Sequence, residues 1–155
     1  MIEIVSAESC DAAKISTVLE GLRKVGKRRK PGDATFAQTH YIAHPDRLSC
    51  LIAMDVRGDV LGFQSLKIAV DGNAYGTPVG WGIIGTHVLP QASGRGIGRA
   101  LFVETKKAAL KMCLPAIEAL IGADNAQGLG YYSAMGFVDY RETPTAVGKK
   151  LVLTT

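Results

Sequence analysis

The sequence predicts one α/β (α+β) domain over residues 1–155, with a mixed, mainly antiparallel sheet, one parallel βαβ pair and helices on both faces. Three observations predict it. With 155 residues, 47% hydrophobic and 21% charged, and with no internal repeat, low-complexity tract or linker, the chain suits a single core. The β-rich runs 49–55 and 60–70 flank Arg57-Gly58-Asp59, whose glycine and short polar residues suit a hairpin turn, so those strands pair antiparallel. Between Val79 and Ala123 a strand, a glycine-rich turn, a helix and a second strand follow one another, a crossover that sets its two strands parallel.

In chain order, Met1-Ile2-Glu3-Ile4-Val5 alternates as a strand. Ile15, Val18, Leu19 and Leu22 recur at helical spacing behind Asp11 as cap, and that helix stops near Gly26. A second, short helix follows Pro31-Gly32-Asp33, with Asp33 as cap and Pro45 near its end. Beyond the hairpin, 79–89 reads as a strand whose glycines at 80, 82 and 85 permit a bulge or a close backbone approach. Leu101, Phe102, Thr105, Ala108, Ala109 and Met112 keep a 3.6-residue period from Gly98, and Pro115 closes that helix. A strand at 117–123, a helix at 125–135, a strand at 137–142 and a last strand at 150–153 complete the order.

Composition narrows the class. The N-terminus lacks the basic region and long apolar core of a secretory signal, so a cytoplasmic protein is expected. The longest uncharged stretch, Gly72 to Gly94, is broken by glycines, Asn73, Pro78 and Gln91, which suits the centre of a sheet and not a membrane helix. Cys10, Cys50 and Cys113 are odd in number and lack a CxxC or nearby His pattern; they read as reduced core thiols, with neither disulfide nor zinc. His40 and His44 share a helical face, but without an HExxH glutamate or a third ligand no metal is assigned. Net charge is +4, yet Arg23, Lys24, Lys27, Arg28, Arg29 and Lys30 fall within eight residues. Such a cluster attracts phosphates or nucleic acid; a solvated helix end is the default, and nucleic acid is not expected as the partner.

The chemistry concentrates in Val88-Leu89-Pro90-Gln91-Ala92-Ser93-Gly94-Arg95-Gly96-Ile97-Gly98-Arg99. A strand running through glycines into a helix converges several backbone N–H groups on an anion at the helix's positive end. Glycine lets a pyrophosphate reach those amides, and Arg95 and Arg99 add charge-assisted contacts. Further on, Asn125 is followed by Gly128, Tyr132, Gly136 and Phe137.

These two blocks resemble the GNAT N-acyltransferase superfamily. Its coenzyme A loop reads Gln/Arg-x-x-Gly-x-Gly/Ala, and its second motif reads Asn-x-x-Ala-x-x-x-Tyr-x-x-x-Gly-Phe. Gln91, Gly94 and Gly96 fit the loop literally; spacing to the flanking strand and helix favours Ser93, Gly96 and Gly98, with Ser93 replacing the usual Gln/Arg and Gly128 the usual Ala. The resemblance implies acetyl transfer from acetyl-coenzyme A to a primary amine by direct attack in a ternary complex. It implies a cofactor site at Val88, Ser93, Gly94, Arg95, Gly96, Ile97, Gly98, Arg99 and Asn125, with a backbone N–H near Val88 facing the thioester carbonyl. Tyr132 would protonate the departing thiolate.

His87, beside the thioester on the same strand, is the candidate proton relay for the amine, although strand pleating sets its side chain opposite that of Val88. Tyr131 is expected to be a core aromatic. The second helix, with His40 or Tyr41, and the loop 71–78, with Asn73 and Tyr75, are the expected walls of the acceptor pocket. The acceptor is a small-molecule or peptide amine, no membrane partner is expected, and a homodimer is the family habit. A dinucleotide-binding oxidoreductase fails because the third glycine of its fingerprint falls on Arg99 or Leu101. A non-catalytic acyl-coenzyme A sensor is the alternative of a different class.

Overall fold

The structure, a computed structural model, describes residues 1–153. Its elements are β1 (Glu3–Ser6), α1 (Ala12–Lys24), α2 (Ala34–Ala37), β2 (Arg47–Met54), β3 (Val60–Ile68), β4 (Gly82–Val88), α3 (Ile97–Lys111), β5 (Ala116–Gly122), α4 (Ala126–Ala134), β6 (Val138–Glu142) and β7 (Ala146–Val152). The strands form one sheet in the order β1-β2-β3-β4-β5-β7-β6. Every neighbouring pair is antiparallel except β4 and β5, the pair joined through α3, so the predicted fold class is the observed one.

Alternation along β3 divides the core. Phe63 meets Tyr41 on one face (ring centroids 4.9 Å apart), while Leu66 belongs with Phe102, Ile117 and Phe137 on the other. Both are fully buried, each stabilising the fold by roughly 1.5–3 kcal/mol through lost apolar exposure. The helical periodicity found in α1 places Ile15, Val18 and Leu19 at zero exposure in the cluster of Phe63. The hairpin turn is where the sequence puts it: Asp55 Oδ1 accepts from the N–H groups of Arg57 (2.9 Å) and Asp59 (3.0 Å).

Other expectations need correction. Strand β4 begins only at Gly82: before it, Trp81 N–H closes a turn on Pro78 O, while Gly80 N–H donates across to Ala69 O (2.9 Å) and Ala69 N–H to Trp81 O (2.8 Å). From Gly82 on it pairs with β3 without a register shift, and the expected bulge lies just ahead of it, where Gly80 (φ 89°) and Trp81 together oppose Ala69. Neither expected cap side chain accepts from a backbone N–H of its helix: Asp11 accepts from Glu8 N–H in a preceding 3-10 turn and from Lys14 Nζ of α1, and Asp33 contributes only its carbonyl, to Ala37 N–H. Helix α2 passes into a π-helical turn, Gln38–Ile42, in which Ala43 N–H donates to Gln38 O (2.7 Å). Strand β7 starts at Ala146 despite Ala146 and Gly148, since β5 and β6 pair with it on both sides. Of the three thiols only Cys50 is buried; Cys10 and Cys113 lie on the surface.

Candidate active site

The site begins with a fault in the sheet. Strands β4 and β5 pair only at Gly82 with Ile117 and Ile83 with Glu118, then part. On its other side β4 stays paired with β3 up to Val88. Leu89 N–H donates to Leu61 O (2.9 Å), and antiparallel bonding alternates along a strand, so the backbone groups of Val88 and Thr86 turn away from β3 toward the gap. The gap is a cavity of about 960 Å³, within the size range of small-molecule sites, bounded by β4, β5, the loop into α3 and α4.

Gly96 sits at the N-terminal boundary of α3 with φ 77°, a left-handed conformation that glycine adopts without a Cβ penalty. The first bond into the helix is Ala100 N–H to Gly96 O (3.0 Å), which leaves the N–H groups of Ile97, Gly98 and Arg99 without helical partners. Together with the helix dipole they form an anion-binding surface. Gly98 is required for a second reason: a Cβ there would stand 2.6 Å from Tyr131 Cε1, and the Tyr131 hydroxyl donates to Gly98 O at 2.7 Å.

Ten of the eleven site residues read from the sequence line this cavity; Arg95 is the exception, with an exposed side chain on the turn. Ser93 lines it and Gln91 does not, while the glycines of both loop registers, Gly94, Gly96 and Gly98, line it alike. Ser93 Oγ accepts from Gln127 Nε2 (2.8 Å), and Gln127 Oε1 accepts from Lys27 Nζ (3.1 Å), tying the basic segment after α1 to the cavity rim. Asn125 caps α4, its Oδ1 accepting from Gly128 N–H at 3.0 Å.

Tyr132 is 6% exposed, and its hydroxyl lies 2.7 Å from Thr86 Oγ1. Gln64, fully buried on β3, donates through Nε2 to Thr86 Oγ1 (2.9 Å) and to the Tyr131 hydroxyl (3.0 Å). Burial pushes both phenols above their ordinary value, so both remain protonated donors through the neutral range. Tyr131 is thus more than a core aromatic: it lines the cavity and links α4 to the start of α3.

His87 points to the other face of β4. Its ring stacks on Phe63 (4.7 Å, 13°) with Tyr41 edge-on at 5.9 Å, and Nδ1 is buried without a partner. Burial, then the charges of Arg28 and Lys30, drives the imidazole down to about 3, so it is neutral at physiological pH. His87 lines both the large cavity and a second of about 160 Å³, whose walls include His40 and Tyr41 of the π turn and Tyr75 of the loop 71–78. Asn73 lies outside that lining and shapes the loop instead, its Oδ1 accepting from the N–H groups of Tyr75 and Thr77. Arg141 pins the loop, donating to Tyr75 O (2.7 Å) and, through Nε and Nη2, to the carboxylate of buried Glu118 (2.7 and 2.8 Å), which Thr77 and Tyr140 also contact.

With this geometry in view, residues 18–137 match the sequence model of the Acetyltransferase (GNAT) family. The chain belongs to that family. None of the curated proteins compared with it matches. Its fold is similar to that of a GCN5-related N-acetyltransferase from Kribbella flavida (18% identity, 98% of each chain, TM-score 0.81). It is also similar to the PaiA N-acetyltransferase of Thermoplasma acidophilum, solved with coenzyme A (17% identity, 99% of each chain, TM-score 0.76). A third likeness is to yncA of Salmonella typhimurium, solved with acetyl-CoA (19% identity, 99% of this chain and 94% of that one, TM-score 0.71).

As a GNAT chain it is an acyltransferase by family, built around the splayed β4–β5 pair. Sequence reading missed Thr86 and Gln64 in this GNAT site, because a threonine and a glutamine inside strand patterns carry no motif and only cross-strand pairing brings Gln64 opposite Thr86. Among the described residues no helix is long and apolar enough to cross a membrane.

Proposed function

We propose that this GNAT domain, residues 1–155, is an N-acetyltransferase that moves acetyl from acetyl-coenzyme A to a primary amine by direct attack in a ternary complex. One observation carries the reading: the same cavity holds a helix start with three free N–H groups, an unpaired strand amide at Val88 and the Tyr132 hydroxyl. The residues present suit coenzyme A. Free amides at Ile97 to Arg99 would hold the pyrophosphate, with Arg99 adding charge, while the edges of β4 and β5 offer backbone partners to the amide-bearing arm.

Bound acetyl-coenzyme A supplies the activated acyl group. Val88 N–H would stabilise negative charge on the thioester oxygen as the amine adds, a fixed dipole needing no reorganisation. Tyr132 then donates its proton to the leaving sulfur, and Thr86 holds that hydroxyl in place. His87, with a conjugate acid near 3, is a poor sink for the proton of an ammonium group of pKa about 10. It orients the amine from the neighbouring cavity as a neutral hydrogen-bonding group, and the proton passes on to solvent.

Free-thiol release from acetyl-coenzyme A across a library of amines tests the reading. Time-dependent release that requires both an amine and Tyr132 supports it. Calorimetric binding of acetyl-coenzyme A with no thiol release for any amine would replace it with a non-catalytic acyl-coenzyme A sensor.

A further inference from the structure

The smaller cavity has an uneven charge. Arg28, Lys30 and Lys67 line it, and among the described residues no carboxylate does. Lys67 is the unusual member. It lies on β3, on the face shared with Phe63 and His87, and is only 7% exposed. Among the described residues it forms no ion pair within 4.0 Å; its ammonium lies 5.2 Å from the centroid of the Tyr41 ring. A charged group removed from water this far is costly unless something of opposite charge meets it. Burial lowers the Lys67 pKa, and Asp46, beyond salt-bridge distance, partly restores it. Arg28 spends Nε and Nη2 on Pro31 O, which fixes the guanidinium beside the cavity. His40, pushed down to about 4 by burial and by these neighbours, adds no charge at neutral pH.

Resting on the transferase reading above, we infer that the acceptor is a small amine that also carries an anionic group, a carboxylate or a phosphonate, with the anion meeting Lys67, Arg28 and Lys30 and the amine lying against His87. The cavity of about 160 Å³ has the scale of an amino acid rather than of a folded protein surface. Its field repels polyamines and other multiply cationic amines. Coenzyme A phosphates do not account for this charge: Lys30 and Lys67 line the smaller cavity and not the larger one.

The experiment uses the full chain and a matched panel: the common L-amino acids, their carboxamides, the corresponding decarboxylated amines, and aminoalkylphosphonates. Thiol release gives kcat/KM for each, and saturation-transfer NMR on the coenzyme A-loaded protein reads binding without turnover. At least one anionic amine is expected to exceed its neutral counterpart by about 10- to 100-fold. In Lys67→Met, with coenzyme A affinity unchanged as the check on folding, that ratio falls toward one. Should Lys67→Met not fold, Lys30→Glu, at an exposed position, reduces the same ratio. Preference between carboxylate and phosphonate members identifies the anion. Turnover of neutral or cationic amines at least equal to that of their anionic partners overturns the inference and leaves acetyl transfer standing. Selective binding of anionic amines without any thiol release removes the transferase reading and sustains the anion site. Absence of both binding and turnover for every anionic amine overturns the inference.

Discussion

The hydroxyl groups of Tyr132 on α4 and Thr86 on β4 lie 2.7 Å apart across the wall of the large cavity. Thr86 Oγ1 also accepts from Gln64, so the Tyr132 oxygen is held by a group that is itself held. Tyr132→Phe removes the proton donor and keeps the ring, and kcat is expected to fall about 100-fold at nearly constant coenzyme A affinity. Thr86→Val keeps the Tyr132 proton donor but removes its positioning bond, together with the acceptor for Gln64 Nε2, and is expected to lower kcat about 2- to 10-fold. The two losses should not add, because Thr86 acts through Tyr132. Single-turnover rates for the two variants and their double test this; a fully additive double variant would separate the residues.

The neutral state of His87 predicts the pH profile. With its pKa near 3, no inflection from this residue should occur in kcat/KM between pH 5 and 8, where the rate should follow deprotonation of the acceptor amine alone. An inflection near 6.5 that disappears in His87→Gln would make it a titrating base. The sign for stability is equally definite. A histidine whose folded pKa is lowered leaves the unfolded chain binding more protons between about pH 3 and 6.5, so stability falls as pH drops through that window. His40, at about 4, acts in the same direction.

At Gly96 the backbone requires φ 77°, and Cβ-bearing residues other than Asn and Asp pay for that conformation. Gly96→Glu adds bulk and negative charge at the helix start, whereas Gly96→Asn is the tolerated control. Coenzyme A affinity by calorimetry is expected to drop at least about 10-fold further in the Glu variant than in the Asn variant. Equal affinities in two folded proteins would remove the anion site from this turn.

Glu118 gives a second pH window. Burial raises its pKa, but hydrogen bonds from Arg141, Thr77 and Tyr140 outweigh this and the net direction is down. A carboxylate with a lowered folded pKa contributes stability above its unfolded pKa and loses it as pH falls through the folded value. The stability advantage of wild type over Glu118→Gln should therefore be full at neutral pH and shrink below about pH 4. Breaking such a buried pair costs about 3–5 kcal/mol. Since Arg141 also holds Tyr75, the variant's KM for the acceptor should rise more than its KM for acetyl-coenzyme A.

Much of this was legible because the relevant constraints are local in the chain. Glycines at a strand-to-helix turn and a 3.6-residue apolar period announce themselves, so the α3 start could be read directly, whereas Tyr132 was singled out only by the family motif running from Asn125 to Phe137. What escaped depends on distant partners. Gln64 and Thr86 are neighbours only through the β3–β4 register, and Arg141 reaches Glu118 across the sheet. The solvated reading of residues 23–30 was incomplete for the same reason: Lys27 and Arg28 reach the cavities only once α1 has packed. Cys113 lies exposed just past α3 at φ 58°, a turn conformation its sequence neighbours do not announce.

The seam between β4 and β5, two residue pairs wide, has a mechanical consequence. Four strands stand on one side of it and three on the other, and over most of its length no backbone bonds cross. Whatever occupies the seam with peptide-like groups acts as mortar between two leaves. Ligand occupancy and global rigidity are then one variable, and amide exchange along 84–88 and 119–122 should slow together when it is filled. At a ligand concentration 100 times its Kd the filled protein gains about 2.7 kcal/mol against unfolding. The empty protein is the softer one, and its softness is concentrated where the chemistry would take place.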